Sequence, residues 1–168
     1  MKEPYVRPFQ KEDAGRASEV LVGAFQNILG ENFDALTAKH FSAEILIENA
    51  ESKDKFNESK TFVAETDGRV IGVVKVTAGE NGLGVFDYVG VDPECHSLGI
   101  GSLLMRKAEE FWKEHNQRKI TTCVLAGNKK ALLYYIKNNF IPEGYCKDHF
   151  YKGLDEIILG RFLENDNI

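Results

Sequence analysis

Two features near the middle of the chain have residue types and spacing suited to chemistry. One is a glycine pair, Gly99-Ile100-Gly101, set between an apolar strand and an amphipathic helix. The other is a lone carboxylate, Asp87, within that strand. Residues 85 to 91 are mostly apolar, β-branched or aromatic, and Asp92-Pro93 ends the strand by removing a ladder donor and fixing φ. From Leu104 onward, Leu104, Ala108, Phe111, Trp112 and His115 form a helical stripe, with Arg106, Lys107, Glu109, Glu110, Lys113 and Glu114 on the other face. No acid stands in the first turn. The N–H groups of Ser97, Leu98, Gly99, Ile100, Gly101 and Ser102 would point out of a helix start that carries partial positive charge, which makes an anion site, most naturally for a pyrophosphate. Taken alone, a G-x-G also serves as an ordinary turn. The dinucleotide fingerprint fails because position 104 is Leu. Asp87 interrupts Val85-Phe86-Asp87-Tyr88-Val89, so it either faces solvent, where an acid costs little, or has a chemical task.

Composition narrows what these features can serve. At 168 residues, one domain spanning 1–168 is expected, with one substantial core. A net charge of −5 argues against nucleic acid as the main partner and leans slightly toward cationic substrates. No uninterrupted apolar run approaches the roughly 18 residues of a bilayer span, and no leader pattern opens the chain, so a cytoplasmic protein is expected. Cys95, Cys123 and Cys146 lack a C-x-x-C and fit reduced thiols. Cys146-x-x-His149 is half of a metal pattern, but no second pair has ligand spacing, so no metal is expected.

Several elements must position the central stretch. Tyr5 to Phe9 reads as a strand, and Asp13 as the cap of a helix striped by Val20, Leu21, Ala24, Phe25 and Ile28 that ends near Gly30. A second helix runs from about Asp34, with Leu36, His40, Phe41, Ile45, Leu46 and Asn49 at helical spacing, until polar residues 51 to 55 dissolve the pattern. Strands at 61–66 and 69–76 join at Asp67-Gly68, a tight-hairpin dipeptide, and a third strand follows Gly82. Beyond the central helix come a strand at 119–125, a short helix at 128–138, and two closing strands after Pro142. This order gives an α/β (α+β) architecture with a mixed, mostly antiparallel sheet and one parallel crossover from Val91 to Lys119.

Val91-Asp92-Pro93 followed by His96-Ser97-Leu98-Gly99-Ile100-Gly101 resembles the acetyl-CoA-binding motif of the GCN5-related N-acetyltransferase (GNAT) superfamily, V-x-P then Q/R-x-x-G-x-G/A. His96 stands where Gln or Arg is usual. Asn128 to Phe140, with Ala131, Tyr134, Tyr135 and Lys137, resembles the superfamily's second cofactor motif, N-x-x-A-[IL]-x-[FLY]-Y-x-[KR]-x-G-F. Asn139 replaces the glycine there and is the non-glycine residue best able to take a left-handed conformation.

The resemblance implies a GNAT-like sheet flanked by helices on both faces, acetyl-CoA as co-substrate, and transfer to a small-molecule amine or a protein amino group. It further implies that Tyr135 protonates the departing thiolate while Tyr134 packs beside it. It implies that a bulge frees backbone groups at Val89 and Val91 for the pantetheine arm, with Gly90 suiting the irregularity, and that Asn128 reaches the cofactor's amides. Asp87 lies where some members carry a glutamate, and is read as general base or substrate anchor. A Cys95 nucleophile is an alternative without an identifiable histidine–acid partner. A CoA-binding sensor or subunit without catalysis, a different acyl donor, and a hydroxyl acceptor also remain open. Dimerisation is common in the family.

Overall fold

The computed structural model describes residues 2–26, 28–29, 33–96 and 98–163. Its strands are β1 (Tyr5–Pro8), β2 (Glu51–Lys53), β3 (Asn57–Thr66), β4 (Arg69–Gly79), β5 (Leu83–Val91), β6 (Lys119–Leu125), β7 (Ile141–Tyr151) and β8 (Leu154–Phe162). The helices are α1 (Ala14–Phe25), α2 (Phe33–Phe41), α3 (Ala43–Glu48), α4 (Ile100–Glu114) and α5 (Lys129–Lys137). The strands form a single sheet in the order β1-β3-β4-β5-β6-β8-β7. The short β2 shares with β1 the outer edge of β3. All pairings are antiparallel except β5 with β6.

Alternation along the strands supplies two cores. On one face, Phe62, Val74, Val76, Phe86, Ile120 and Leu159 pack with Leu104, Ala108, Phe111 and Trp112 of α4 and Tyr135 of α5. The Trp112 indole N–H donates to the Thr77 carbonyl at 3.1 Å, so burying the ring strands no polar atom. On the other face, Val63, Val70 and Val73 meet Ala17, Val20 and Leu21 of α1, Phe41 of α2 and Leu46 of α3. Helices therefore cover both faces, as expected. The second face is covered over β3 to β5, and among the described residues the part formed by β6, β8 and β7 carries no helix beyond the contact of His40 of α2 with Tyr151 at the end of β7.

The Asp67-Gly68 turn has φ of 49° and 76°, the twin positive values of the tight hairpin. Asn139 takes φ of 64° at the end of α5, the left-handed role expected of it. Three elements differ from expectation. The helix expected from Asp34 to Asn49 is two helices, because Ser42 leaves helical geometry and its hydroxyl accepts from the Ile45 N–H as a cap. Residues 51 to 53, where only the end of a helical pattern is read, pair with Lys60 to Glu58 as a strand. α1 stops at Phe25, and the helix end expected near Gly30 lies outside the described residues.

Candidate active site

The site begins where two neighbouring strands stop pairing. Leu83, Gly84 and Val85 of β5 pair with Lys119, Ile120 and Thr121 of β6, and there the parallel ladder ends. One step further the Thr122 hydroxyl donates to the Phe86 carbonyl at 2.9 Å in place of a backbone donor. The parting coincides with a bulge. Lys75 of β4 faces Tyr88 and Val76 faces Phe86, which leaves Asp87 as the extra residue.

The irregularity thus sits at Asp87 and not at Gly90. Gly90 pairs regularly with Val73, and its lack of a side chain serves packing. A Cβ there would come within 2.9 Å of Leu21 Cδ2 and 3.3 Å of Ala24 Cβ on α1. The Asp92 N–H donates to the Ile71 carbonyl at 2.9 Å. Strand alternation then turns the backbone of Gly90 and Tyr88 toward β4, and that of Val89 and Val91 toward the gap.

α4 starts at the mouth of this gap. Gly99 caps it with φ of 74°, and no acid stands in its first turn. The first intrahelical bond runs from the Leu103 N–H to the Gly99 carbonyl at 3.0 Å, so the N–H groups of Ile100, Gly101 and Ser102 point outward without a helical acceptor. Ile100 is buried, while Leu98, Gly99 and Ser102 are exposed. Ser97 lies outside the described residues. A Cβ on Gly101 would meet the Tyr134 ring at 3.1 Å, and the Tyr134 hydroxyl donates to the Gly101 carbonyl at 2.7 Å. Tyr134 thereby fixes α5 to the start of α4. Lys130 Nζ donates to His96 Nδ1 at 2.9 Å, placing an ammonium beside the same helix start.

The Asn128 amide oxygen accepts from the Ala131 N–H at 3.0 Å, capping α5. Ala131 packs against the core, and Lys137 is exposed in the last turn, about 12 Å along the axis from Lys129. Tyr135 is buried between Phe86 and Phe140, edge-on at 5.4 and 5.3 Å. Burial raises its pKa above the ordinary tyrosine value, against the smaller opposing effect of a hydrogen bond with Thr122, so the phenol keeps its proton at neutral pH.

Asp87 lies on the opposite face of the sheet from Phe86. Its carboxyl presents surface to solvent, while protein crowds its other sides. That crowding raises its pKa, and the Thr77 hydroxyl, which donates to it at 2.8 Å, and the Lys75 ammonium pull the other way. Beside it, burial pushes the Tyr88 phenol up to about 12. Phe41 meets the Tyr88 ring at 5.5 Å, and His40 Nε2 lies 2.8 Å from the Tyr151 hydroxyl, so α2 touches β5 and β7 at once on this face. Cys95 is half-buried, and burial and the Asp92 carboxylate push its thiol pKa up, which disfavours a thiolate nucleophile.

A parted pair of strands, a helix start without acids and a buried tyrosine at the point of parting together outline a site for an extended ligand that ends in phosphates. The model of the Acetyltransferase (GNAT) family matches residues 24–140, a span that contains both motif stretches. The chain belongs to the GNAT acetyltransferase family. An uncharacterized N-acetyltransferase of Methanocaldococcus jannaschii is 28% identical over 99 residues, which cover 58% of this chain and 63% of that protein. The PaiA N-acetyltransferase of Thermoplasma acidophilum, solved in complex with coenzyme A, shares the fold with a TM-score of 0.76. Identity is 19%, over 95% of this chain and 99% of that one. The ribosomal-protein-S18-alanine N-acetyltransferase of Escherichia coli has a TM-score of 0.73 and 14% identity, over 98% of both chains.

In this GNAT chain the sequence left two residues of the site unread. Thr122 gave no signal, since an isolated threonine in a strand is ordinary. Lys130 had only its place next to the Asn128 cap, and its nearness to His96 depends on how α5 packs on α4.

Proposed function

We propose that the chain is an acetyl-CoA-dependent N-acetyltransferase that acetylates a primary amine by direct attack in a ternary complex. The observation that carries this reading is the parting of β5 and β6, flanked by Asp87 on one sheet face and Tyr135 on the other. The donor's diphosphate suits the outward N–H groups of Ile100, Gly101 and Ser102 together with Lys130. The Val89 and Val91 backbone groups suit the amides of its pantetheine arm as a missing strand would. Acetyl-CoA supplies an acetyl group activated as a thioester.

Around that thioester, the Val89 N–H stabilises negative charge developing on the carbonyl oxygen. Asp87, its pKa raised toward the working range, takes a proton from the incoming ammonium directly or through a water. Tyr135, held protonated by burial, gives its proton to the departing sulfur. The acceptor is a small amine or a protein amino group. Asp87 beside the gap supports a cationic one. The free thiols Cys95, Cys123 and Cys146 support a cytoplasmic setting.

Replacing Tyr135 by Phe tests the assignment. CoA release is measured with acetyl-CoA against polyamines, aminoglycosides, amino acids and amino-terminal peptides. On whichever acceptor the wild type turns over, Tyr135→Phe lowers kcat by about 10²- to 10⁴-fold while CoA binding is retained. Unchanged turnover would remove Tyr135 from the chemistry. A clear thermal shift with CoA and no turnover on any acceptor would favour the non-catalytic CoA-binding module.

A further inference from the structure

The open face of β6, β8 and β7 brings together three residues that the linear sequence keeps apart. Cys123 of β6, His149 of β7 and Glu156 of β8 each direct a ligand atom to one spot, and these atoms all lie within 4.8 Å of one another. The sheet fixes two of them. Cys123 pairs with Ile158, and Glu156 pairs with Leu125 on one side and Cys146 on the other, so Cys123, Glu156 and Cys146 project from the same face.

The third is set by an irregular stretch of β7. Between Cys146 and Tyr151 the pairing with β8 shifts register, and Asp148 takes φ of 47°. The Asp148 N–H donates to Asp155 Oδ1 at 2.9 Å, and its own carboxylate accepts from the Gly153 N–H at 2.6 Å. This turn brings His149 Nδ1 to 2.7 Å from Glu156 Oε2.

The three donors are a thiol, an imidazole and a carboxylate, the mixed set that favours zinc-like ions over Mg²⁺ or Ca²⁺. In a tetrahedral zinc site, bond lengths near 2.0–2.3 Å put neighbouring ligand atoms about 3.3–3.7 Å apart. The widest pair, at up to 4.8 Å, must close by about 1.1–1.5 Å, and His149 Nδ1 and Glu156 Oε2, at 2.7 Å, must part by about 0.6 Å, adjustments that rotation of the exposed Cys123 and His149 side chains supplies. A disulfide is not an alternative use of these thiols. Cys123 and Cys146 stand two strands apart with β8 between them, about 9–10 Å by strand spacing, beyond the reach of an S–S bond.

We propose that Cys123, His149 and Glu156 form a site for one thiophilic divalent cation of the Zn²⁺ type, with a fourth position open to water, clasping β6, β7 and β8 together. This site owes nothing to the acetyl-transfer reading and is tested without any acetyl donor.

Co²⁺ serves as the probe, added to the full chain purified in chelator and then freed of it. One equivalent is expected to give the near-ultraviolet sulfur-to-cobalt charge-transfer band, to raise the melting temperature, and to be displaced by Zn²⁺. Cys123→Ser abolishes the band, and Cys123→Ser and His149→Ala each weaken Zn²⁺ binding at least tenfold in a competition titration. Cys123 and His149 lie at the surface, so the metal-free forms of both variants melt close to the wild type. Cys146→Ser and Cys95→Ser keep the band. A band that survives Cys123→Ser, or one lost only with Cys95 or Cys146, overturns the proposal. So does the absence of any band with an intact, reduced protein.

Discussion

Gly72 of β4 holds the start of α4 in place by having no side chain, and replacing it by alanine tests how tightly the anion-facing helix is seated. A Cβ at Gly72 would lie 2.8 Å from Ile100 Cγ2, 3.0 Å from Leu104 Cδ1 and 3.4 Å from Ala64 Cβ. Ile100 and Leu104 are 2% and 0% exposed, so neither can swing away into solvent. The first turn of α4 must therefore lift off the sheet by a few tenths of an ångström. Overpacking of this kind costs about 1–3 kcal/mol. The φ of Gly72 is not positive, so alanine fits the backbone and recovers about 0.4–1 kcal/mol by restricting the unfolded chain. The central values leave a net loss of about 1.3 kcal/mol, or about 3–5 °C in melting temperature for a chain of this size. Because Ile100, Gly101 and Ser102 move with that turn, CoA binding weakens several-fold. Gly15→Ala in α1 is the control. Nothing lies within 4 Å of its Cβ position, and the substitution stabilises by about 0.5–1 kcal/mol. Both variants are compared by thermal melts with and without CoA. A Gly72→Ala protein that melts at or above the wild type with unchanged CoA affinity refutes the close seating of α4 on β4.

Further outcomes follow from the same geometry. The folded-state pKa of Asp87 is raised, so its charged form is penalised when pH exceeds that value, and the penalty vanishes below the unfolded value near 3.9. Asp87→Asn should therefore melt higher than the wild type at neutral pH, with the difference shrinking as pH falls through this window, and should lose the acid limb of the pH–rate profile along with most activity. A variant no more stable at pH 7 than the wild type would show that crowding does not set the Asp87 pKa. Thr122→Val leaves the Phe86 carbonyl without its donor at the point of parting and is expected to cost about 1–3 kcal/mol in denaturant melts. Asp92 is 4% exposed, binds Arg16 and Arg69, and accepts from the Glu94 N–H at 3.0 Å. Asp92→Asn should cost about 1.5–3 kcal/mol, and a salt titration that narrows the gap to the wild type would trace the loss to charge.

The parts of this molecule legible in the sequence are those whose cause is local. Asn139 announced a left-handed helix end, Asp67-Gly68 a hairpin, and the stripe from Leu104 to His115 a helix lying on a sheet. The two motifs supplied the family. What escaped had causes elsewhere in the chain. Glu51 to Lys53 are exposed, with no apolar alternation, and are a strand only because β3 runs beyond the end of β1. The stripe from Leu36 to Leu46 runs unbroken across Ser42, so the cap that splits it was overlooked. Gly90 drew attention as a source of irregularity, whereas the acid at position 87 was itself the sign of the bulge. His149 reaches Glu156 and Cys123 through strand pairing, although the spacing along the chain had linked it to Cys146.

The three-pair ladder between β5 and β6 also has a mechanical meaning. It makes the sheet two panels hinged at one corner, β1 to β5 on one side and β6 to β8 on the other, joined by Leu83–Lys119, Gly84–Ile120 and Val85–Thr121 and latched by Thr122. A ligand that fills the opening acts as a splint between panels. Amide exchange in the upper half of β6, whose groups the ligand reading leaves untouched, then reports panel motion, and it slows when the opening is filled.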